Sequence, residues 1–205
     1  LMLLAALSPV LLLIALAIRL DSRGPVLFRQ QRVGSRRRGR GGRIIWEVRS
    51  FTFFKFRSMR MDSDPAVHKE YVRAFCQGGV ASGHAAGTKF KLTSDSRVTR
   101  VGKFLRKTSL DELPQLLNVL RGDMSLVGPR PVPLYETAHY QAWHFERFTV
   151  LGGITGLWQV RGRGRVPFEE MMRMDIDFAR CTSLWLDLKI LLLTVPCVLR
   201  ARGAE

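Results

Sequence analysis

The chain has 205 residues, 46% hydrophobic and 24% charged, so it can bury one sizeable core and is not a disordered or fibrous sequence. Its 33 lysines and arginines outweigh 17 acidic residues, and the formal net charge of +16 points to an anionic partner: nucleic acid, anionic lipid or a phosphorylated substrate. Three scattered cysteines (Cys76, Cys181, Cys197) argue against a disulfide framework and read as small buried residues, while His139 and His144 lack the i,i+4 spacing of paired ligands, so no metal site built from Cys or His is expected.

Residues 1–18 are apolar except for Ser8 and Pro9. Such a run nearly spans a bilayer, but a mid-helix proline removes a hydrogen bond and kinks or breaks the helix. Two dispositions follow, a transmembrane helix or a broken, re-entrant one in which Ser8 bonds a freed carbonyl. Arg19 and Arg23 suit a head-group surface at its exit. Residues 24–28 predict a turn into a short strand, and residues 34–43 a Gly/Arg loop without periodicity. Residues 44–56 alternate like the arm of a β-hairpin. Helices are predicted over 64–75, 98–107, 113–120, 135–148 and 168–178, with a mobile Gly/Ala/Ser-rich loop over 78–87. The apolar segment 184–199, interrupted by Asp187, Lys189 and Pro196, is too short and too charged to span. It reads as a helix lying in a membrane interface, with Trp185, Arg200 and Arg202 as anchors, or as an ordinary core helix.

Chemistry concentrates where Arg106 and Lys107 precede the adjacent carboxylates Asp111 and Glu112 at a helix start. Basic residues and a helix N-terminus attract a diphosphate, and a carboxylate held there stays ionised to act as nucleophile or metal ligand. The same residues also satisfy a capping reading: Ser109 and Glu112 form a capping-box pattern, or Asp111 is the N-cap with Pro114 in the first turn.

The run of residues 107–131, KTSLDELPQLLNVLRGDMSLVGPRP, resembles the signature of the bacterial sugar transferases, the monotopic phosphoglycosyl transferases. Gly24-Pro25-Val26-Leu27-Phe28-Arg29-Gln30, Lys55-Phe56-Arg57-Ser58-Met59, Lys91-Leu92-Thr93, Arg97-Val98-Thr99, Gly156-Leu157-Trp158-Gln159-Val160 and Ser183-Leu184-Trp185-Leu186-Asp187 extend the resemblance, in order, over nearly the whole chain. Gly152 stands where the family usually has proline, which predicts a looser loop, Arg161 replaces a commonly small residue, and the loop 36–43 is longer than usual.

The resemblance implies an α+β, monotopic membrane enzyme of mostly short helices and a small antiparallel element. Residues 1–23 would form the re-entrant membrane helix, broken at Ser8 and Pro9. Residues 24–205 would form a catalytic domain on the cytoplasmic face of the bacterial inner membrane, with an interfacial C-terminal helix. It further implies that Asp111 attacks the β-phosphate of a UDP-sugar, releasing UMP, and that polyprenyl (undecaprenyl) phosphate then takes the phosphosugar in the first membrane step of surface-glycan or exopolysaccharide synthesis. Glu112 would orient groups or hold Mg²⁺, Lys55 and Arg106 would clamp phosphates, and Arg130 would grip the nucleotide phosphate or the base edge. The basic loop 36–43 is expected to meet anionic membrane lipids rather than nucleic acid. The competing readings are a membrane-anchored nucleic-acid-binding protein without catalysis, which charge alone supports, and a non-catalytic scaffold in which Asp111 is only a cap.

Overall fold

The computed structural model describes residues 2–61, 65–77, 97–161 and 166–199; the glycine-rich loop 78–87, the Lys91-Leu92-Thr93 motif, Arg163, Arg200 and Arg202 lie outside them. The chain runs α1 (Met2–Asp21), β1 (Leu27–Arg40), β2 (Arg43–Phe56), α2 (Pro65–Cys76), α3 (Arg100–Thr108), a 3-10 turn (Leu110–Glu112) and α4 (Gln115–Leu120). Then follow β3 (Ser125–Val127), β4 (Val132–Pro133), α5 (Leu134–Thr137), a 3-10 segment (Ala142–Thr149), β5 (Gly153–Thr155), α6 (Leu157–Arg161), α7 (Phe168–Arg180) and α8 (Leu184–Leu199). This is the mixed helix-and-strand architecture expected, with a small antiparallel sheet of order β2-β1-β4. A second sheet, the parallel pair β3-β5, was not foreseen.

The sequence reading fails most clearly at residues 34–43. They are not an irregular loop but the outer half of a hairpin of two 14-residue strands, paired from Leu27↔Phe56 to Arg40↔Arg43. Gly41 and Gly42 both take positive φ, +56° and +74°, as a two-residue turn matched to the strands' twist requires. The arginines are accommodated by alternation across the ladder. Arg36 sits opposite Glu47, and Arg38 reaches the same carboxylate at 2.8 Å. One face of the outer ribbon carries Ile44, Trp46 and Val48 beside Arg37; the other carries Arg36, Arg38, Arg43 and Glu47 together with exposed Ile45. The inner half is aromatic and buried, with Phe51, Phe53, Phe54 and Phe56 in the core.

The predicted helix over 135–148 is likewise two pieces. Gln141 is extended, and its N–H donates to Nδ1 of buried His144 at 2.9 Å, which starts a new 3-10 segment rather than continuing α5. The cysteines are unpaired, but none is fully buried as expected: Cys181 is exposed, and Cys76 and Cys197 are partly exposed.

Helix α1 is helical on both sides of Pro9, without a break in the element. It packs through Ile14 and Ile18, one turn apart, against Phe56 and Leu105, while Leu12, Leu13, Leu16 and Leu20 stay exposed. Its C-terminal end is fixed by the Lys55-Phe56-Arg57-Ser58-Met59 segment. The buried Arg57 guanidinium donates to the carbonyls of Arg23 and, at 2.7 Å, Ser22, just past the helix end, where its charge also complements the negative end of the helix dipole. Asp21 in turn accepts the Val101 N–H at 3.0 Å, at the start of α3. Among the described residues no helix is long and apolar enough to cross a membrane. Helix α8 fully buries only Ile190, against Val127, Leu157 and Phe178, and exposes Leu184, Trp185, Leu188, Leu192 and Leu199. A core helix would bury a broader stripe.

Thr99 explains its motif: its Oγ1 accepts the Gly102 N–H at 3.0 Å and caps α3. Gly102 lets α3 lie against the Ser58 backbone, where a Cβ would stand 2.1 Å from the carbonyl oxygen. Because that obstacle is backbone, Gly102→Ala should destabilise the protein by about 1–3 kcal/mol, read as a lowered urea midpoint. An unchanged midpoint would mean that α3 does not seat on Ser58.

Candidate active site

Between α3 and α4 the chain makes a sharp turn. Ser109, the one non-glycine residue with positive φ among those described (φ 58°, ψ 15°), ends α3 in a left-handed conformation. This geometry is uncommon outside glycine and costs about 1–3 kcal/mol, so it is retained where the surroundings enforce it. It delivers Leu110–Glu112 as a single 3-10 turn against β2. Asp111 is buried at 6% exposure. Neither capping reading holds. Ser109 makes no side-chain cap bond, and the N-cap of α4 is Pro114, which has no side chain able to cap.

The turn faces a cavity of about 610 Å³, within the range of small-molecule sites. Ser109, Leu110 and Glu112 form part of its wall, facing Arg32, Lys55 and Arg130. Glu112 is gripped in a fork: Arg130 donates from Nη2 to Oε1 at 2.6 Å and from Nη1 to Oε2 at 3.3 Å. Burial works against the Arg130 charge, but Glu112, with a smaller contribution from Asp111, raises its pKa. Burial lowers the pKa of Lys55, Asp111 opposes that shift, and Arg32 and Arg106 reinforce it. Thus Lys55, Arg106, Asp111, Glu112 and Arg130, five residues singled out in the sequence, share one electrostatic neighbourhood. Ser8 and Pro9 belong instead to α1, whose contacts with the body are made further along at Ile14 and Ile18.

Five residues not singled out in the sequence complete the site. Arg32 lies 4.0 Å from the Phe53 ring centroid and donates to the Pro131 carbonyl at 2.8 Å; burial and Arg130 pull its pKa down to about 9, so it remains cationic at neutral pH. Arg147 donates to the Arg130 carbonyl at 2.9 Å, to Tyr140 Oη at 2.6 Å and to Asp175 Oδ2 at 2.5 Å. Tyr140 passes its proton toward Glu136 Oε1 at 2.8 Å. Arg147, Glu136 and Asp175 are each no more than 2% exposed, and Glu136 and Arg147 also line the cavity. The available signal was a charge placed among apolar neighbours at helical spacing, as Asp175 is among Met171, Met172 and Phe178. Gly152 is buried, its carbonyl accepts the Ser125 N–H at 2.7 Å, and a Cβ there would meet Pro131 at 2.8 Å.

Among the described residues no group of three His, Cys, Asp or Glu is placed to hold a metal. The donor chemistry still suits Mg²⁺, which binds through one or two carboxylates together with substrate phosphates rather than in an all-protein cage. Glu112, on the cavity wall, is such a carboxylate.

The bacterial sugar transferase family model matches residues 1–201. The UDP-glucose:undecaprenyl-phosphate glucose-1-phosphate transferase of Caulobacter vibrioides is 45% identical over 209 residues, covering 98% of this chain and 66% of the relative. The galactosyl transferase CpsE of Streptococcus agalactiae is 43% identical over 189 residues, covering 92% of this chain and 37% of the relative. The exopolysaccharide production protein ExoY of Sinorhizobium fredii is 37% identical over 201 residues, covering 98% and 82%. The chain thus spans only part of the length of these curated relatives.

Proposed function

Since this chain belongs to the bacterial sugar transferase family, we propose that it moves a sugar 1-phosphate from a UDP-sugar to polyprenyl phosphate through a covalent intermediate on Asp111. The observation that carries this reading is that Lys55 and the Arg130–Glu112 fork line one cavity, while buried Asp111, next in the chain to Glu112 and outside the lining itself, is electrostatically coupled to Lys55. A carboxylate oxygen of Asp111 attacks the β-phosphorus, the bond from that phosphorus to the oxygen bridging to the α-phosphate breaks, and UMP leaves. An oxygen of the acceptor phosphate then attacks the same phosphorus and releases the carboxylate, giving a polyprenyl diphosphosugar. Lys55 keeps the nucleophile ionised and, with Arg32 and Arg130, offsets phosphate charge. Glu112 holds the Arg130 fork in place until phosphate oxygens compete for it. Mg²⁺ bound by Glu112 and the diphosphate would supply further charge neutralisation. Incubation with a panel of UDP-sugars and polyprenyl phosphate should release UMP; release from none of them would overturn the assignment.

The same reading places the protein on the cytoplasmic face of the bacterial inner membrane, with α1 re-entrant at Ser8-Pro9 and α8 in the interface. The exposed leucines of both helices and the arginines at the exit of α1 support it. Single cysteines near Leu1 and at Ser22, in a chain lacking Cys76, Cys181 and Cys197, should both be labelled from the cytoplasm. Labelling from opposite sides would mean that α1 spans.

The outer hairpin fits a lipid surface, because one face offers Ile44, Trp46 and Val48 beside Arg37 and the other Arg36, Arg38 and Arg43 around Ile45 and Glu47. At about 1 kcal/mol per basic residue, replacing Arg36, Arg37, Arg38 and Arg43 with Gln should weaken binding to phosphatidylglycerol vesicles by at least about tenfold. Unchanged vesicle binding with lost nucleic-acid binding would favour the nucleic-acid reading instead.

A further inference from the structure

The cavity has two unlike ends. One is the polar wall of Arg32, Lys55, Glu112 and Arg130. The other runs past Leu126, Ile154 and Val160 to α8, where Leu191, Cys197 and Val198 form the wall. Most polar groups along that arm are engaged; Gln159 donates from Nε2 to the Ile154 carbonyl at 3.2 Å, and its buried Oε1 is left over. Thr155 and Thr194 hydroxyls meet at 2.8 Å, Thr194 also donates to the Ile190 carbonyl at 2.7 Å, and Cys197 Sγ donates to the Val160 carbonyl at 3.5 Å. The arm therefore offers a passing ligand an apolar lining. Leu191 and Val198 are separated by roughly 10 Å along the helix axis, and the exposed side of the same helix carries Leu188, Leu192, Leu193 and Val195.

We propose that this arm seats the phosphate-proximal isoprene units of the polyprenyl acceptor, with α8 as the ramp from the bilayer surface to the phosphate-transfer site. The inference rests on the transferase reading above. A UDP-sugar is polar throughout and has no use for an apolar extension of the site. A polyprenyl phosphate has one anionic end and one apolar chain, and it must bring the first to the cations while keeping the second out of water. A cavity whose cationic end leads directly to an apolar helix exposed on its other side matches that division. The ordinary acyl chain of a phospholipid is the competing occupant.

The test uses the unmodified protein in vesicles and a polyprenyl phosphate carrying a photoreactive group near its phosphate end. Crosslinks should fall on the peptide containing residues 191–198, and unlabelled polyprenyl phosphate should compete while phosphatidylglycerol should not. Crosslinks confined to α1, or equal competition by phosphatidylglycerol, would overturn the placement. A second measurement fills the arm: Val198→Trp should raise KM for polyprenyl phosphate about tenfold with KM for the UDP-sugar unchanged, and equal effects on both would also overturn it. UMP release by the wild type separates the two levels. With turnover present and crosslinks elsewhere, only the placement falls; with no UMP from any donor, the transferase reading falls and the placement with it.

Discussion

Asp111→Asn should leave a folded protein whose turnover is reduced by at least about 10³-fold, as expected for loss of a covalent nucleophile. The amide preserves the shape of the side chain, and the N-cap position of α4 belongs to Pro114 rather than to Asp111. The substitution nevertheless removes the charge that opposes the lowering of the Lys55 pKa. The Lys55 pKa should therefore fall further, and stability should drop modestly rather than collapse. With donor and no acceptor, wild type should accumulate a phosphosugar on the peptide containing Asp111, and the variant should accumulate none. Glu112→Gln should still form some adduct at reduced rate, because it loosens the Arg130 fork without removing the nucleophile. An Asp111→Asn protein with near-normal turnover would end the covalent proposal.

The legible and illegible parts of the sequence divide along a physical line. Asp111, Glu112, Lys55, Arg106 and Arg130 were readable because each sits in a short run of unusual chemistry, and the structure gathers all five. Helix α8 was readable to its ends because apolar side chains recur over its whole length. The hairpin was misread because consecutive arginines look like a solvated loop, although the Gly41-Gly42 pair between two strand-like runs was the stronger local signal. The break at Gln141 depended on one hydrogen bond from a histidine ring, which periodicity does not register. Arg32, Glu136, Arg147 and Asp175 escaped because their partners are distant in sequence: Arg147 is 28 residues from Asp175. No window of sequence displays such a pairing, so the charges that hold the site together were harder to see than those that line it.

Arg147→Met should destabilise the protein by about 3–5 kcal/mol, because it leaves a buried carboxylate without the cation that compensates it. Burial already pushes Asp175 up to about 6 from 3.8, and Arg147 opposes that shift, so the carboxylate is ionised at neutral pH only with the guanidinium beside it. Burial also works against the Arg147 charge, yet Tyr140, Asp175 and Glu136 raise its pKa. Without Arg147 the Asp175 carboxyl should hold its proton to still higher pH. A raised carboxyl pKa means the native state binds the proton more tightly than the unfolded chain, so stability falls as pH rises through the window between the two values. In the wild type that loss ends near pH 6; in the variant it continues above. The stability gap should therefore widen with pH above about 6, measured by urea unfolding at a series of pH values. Arg147 also donates to the Arg130 carbonyl, so the folded fraction of the variant should bind donor more weakly as the Arg130 fork loses its backbone support. Adding Asp175→Leu should recover much of the stability, because it removes the stranded charge, but not the donor affinity. Recovery of both would make the pair a purely structural one, and a pH-independent gap would mean that Asp175 is not the charge Arg147 compensates.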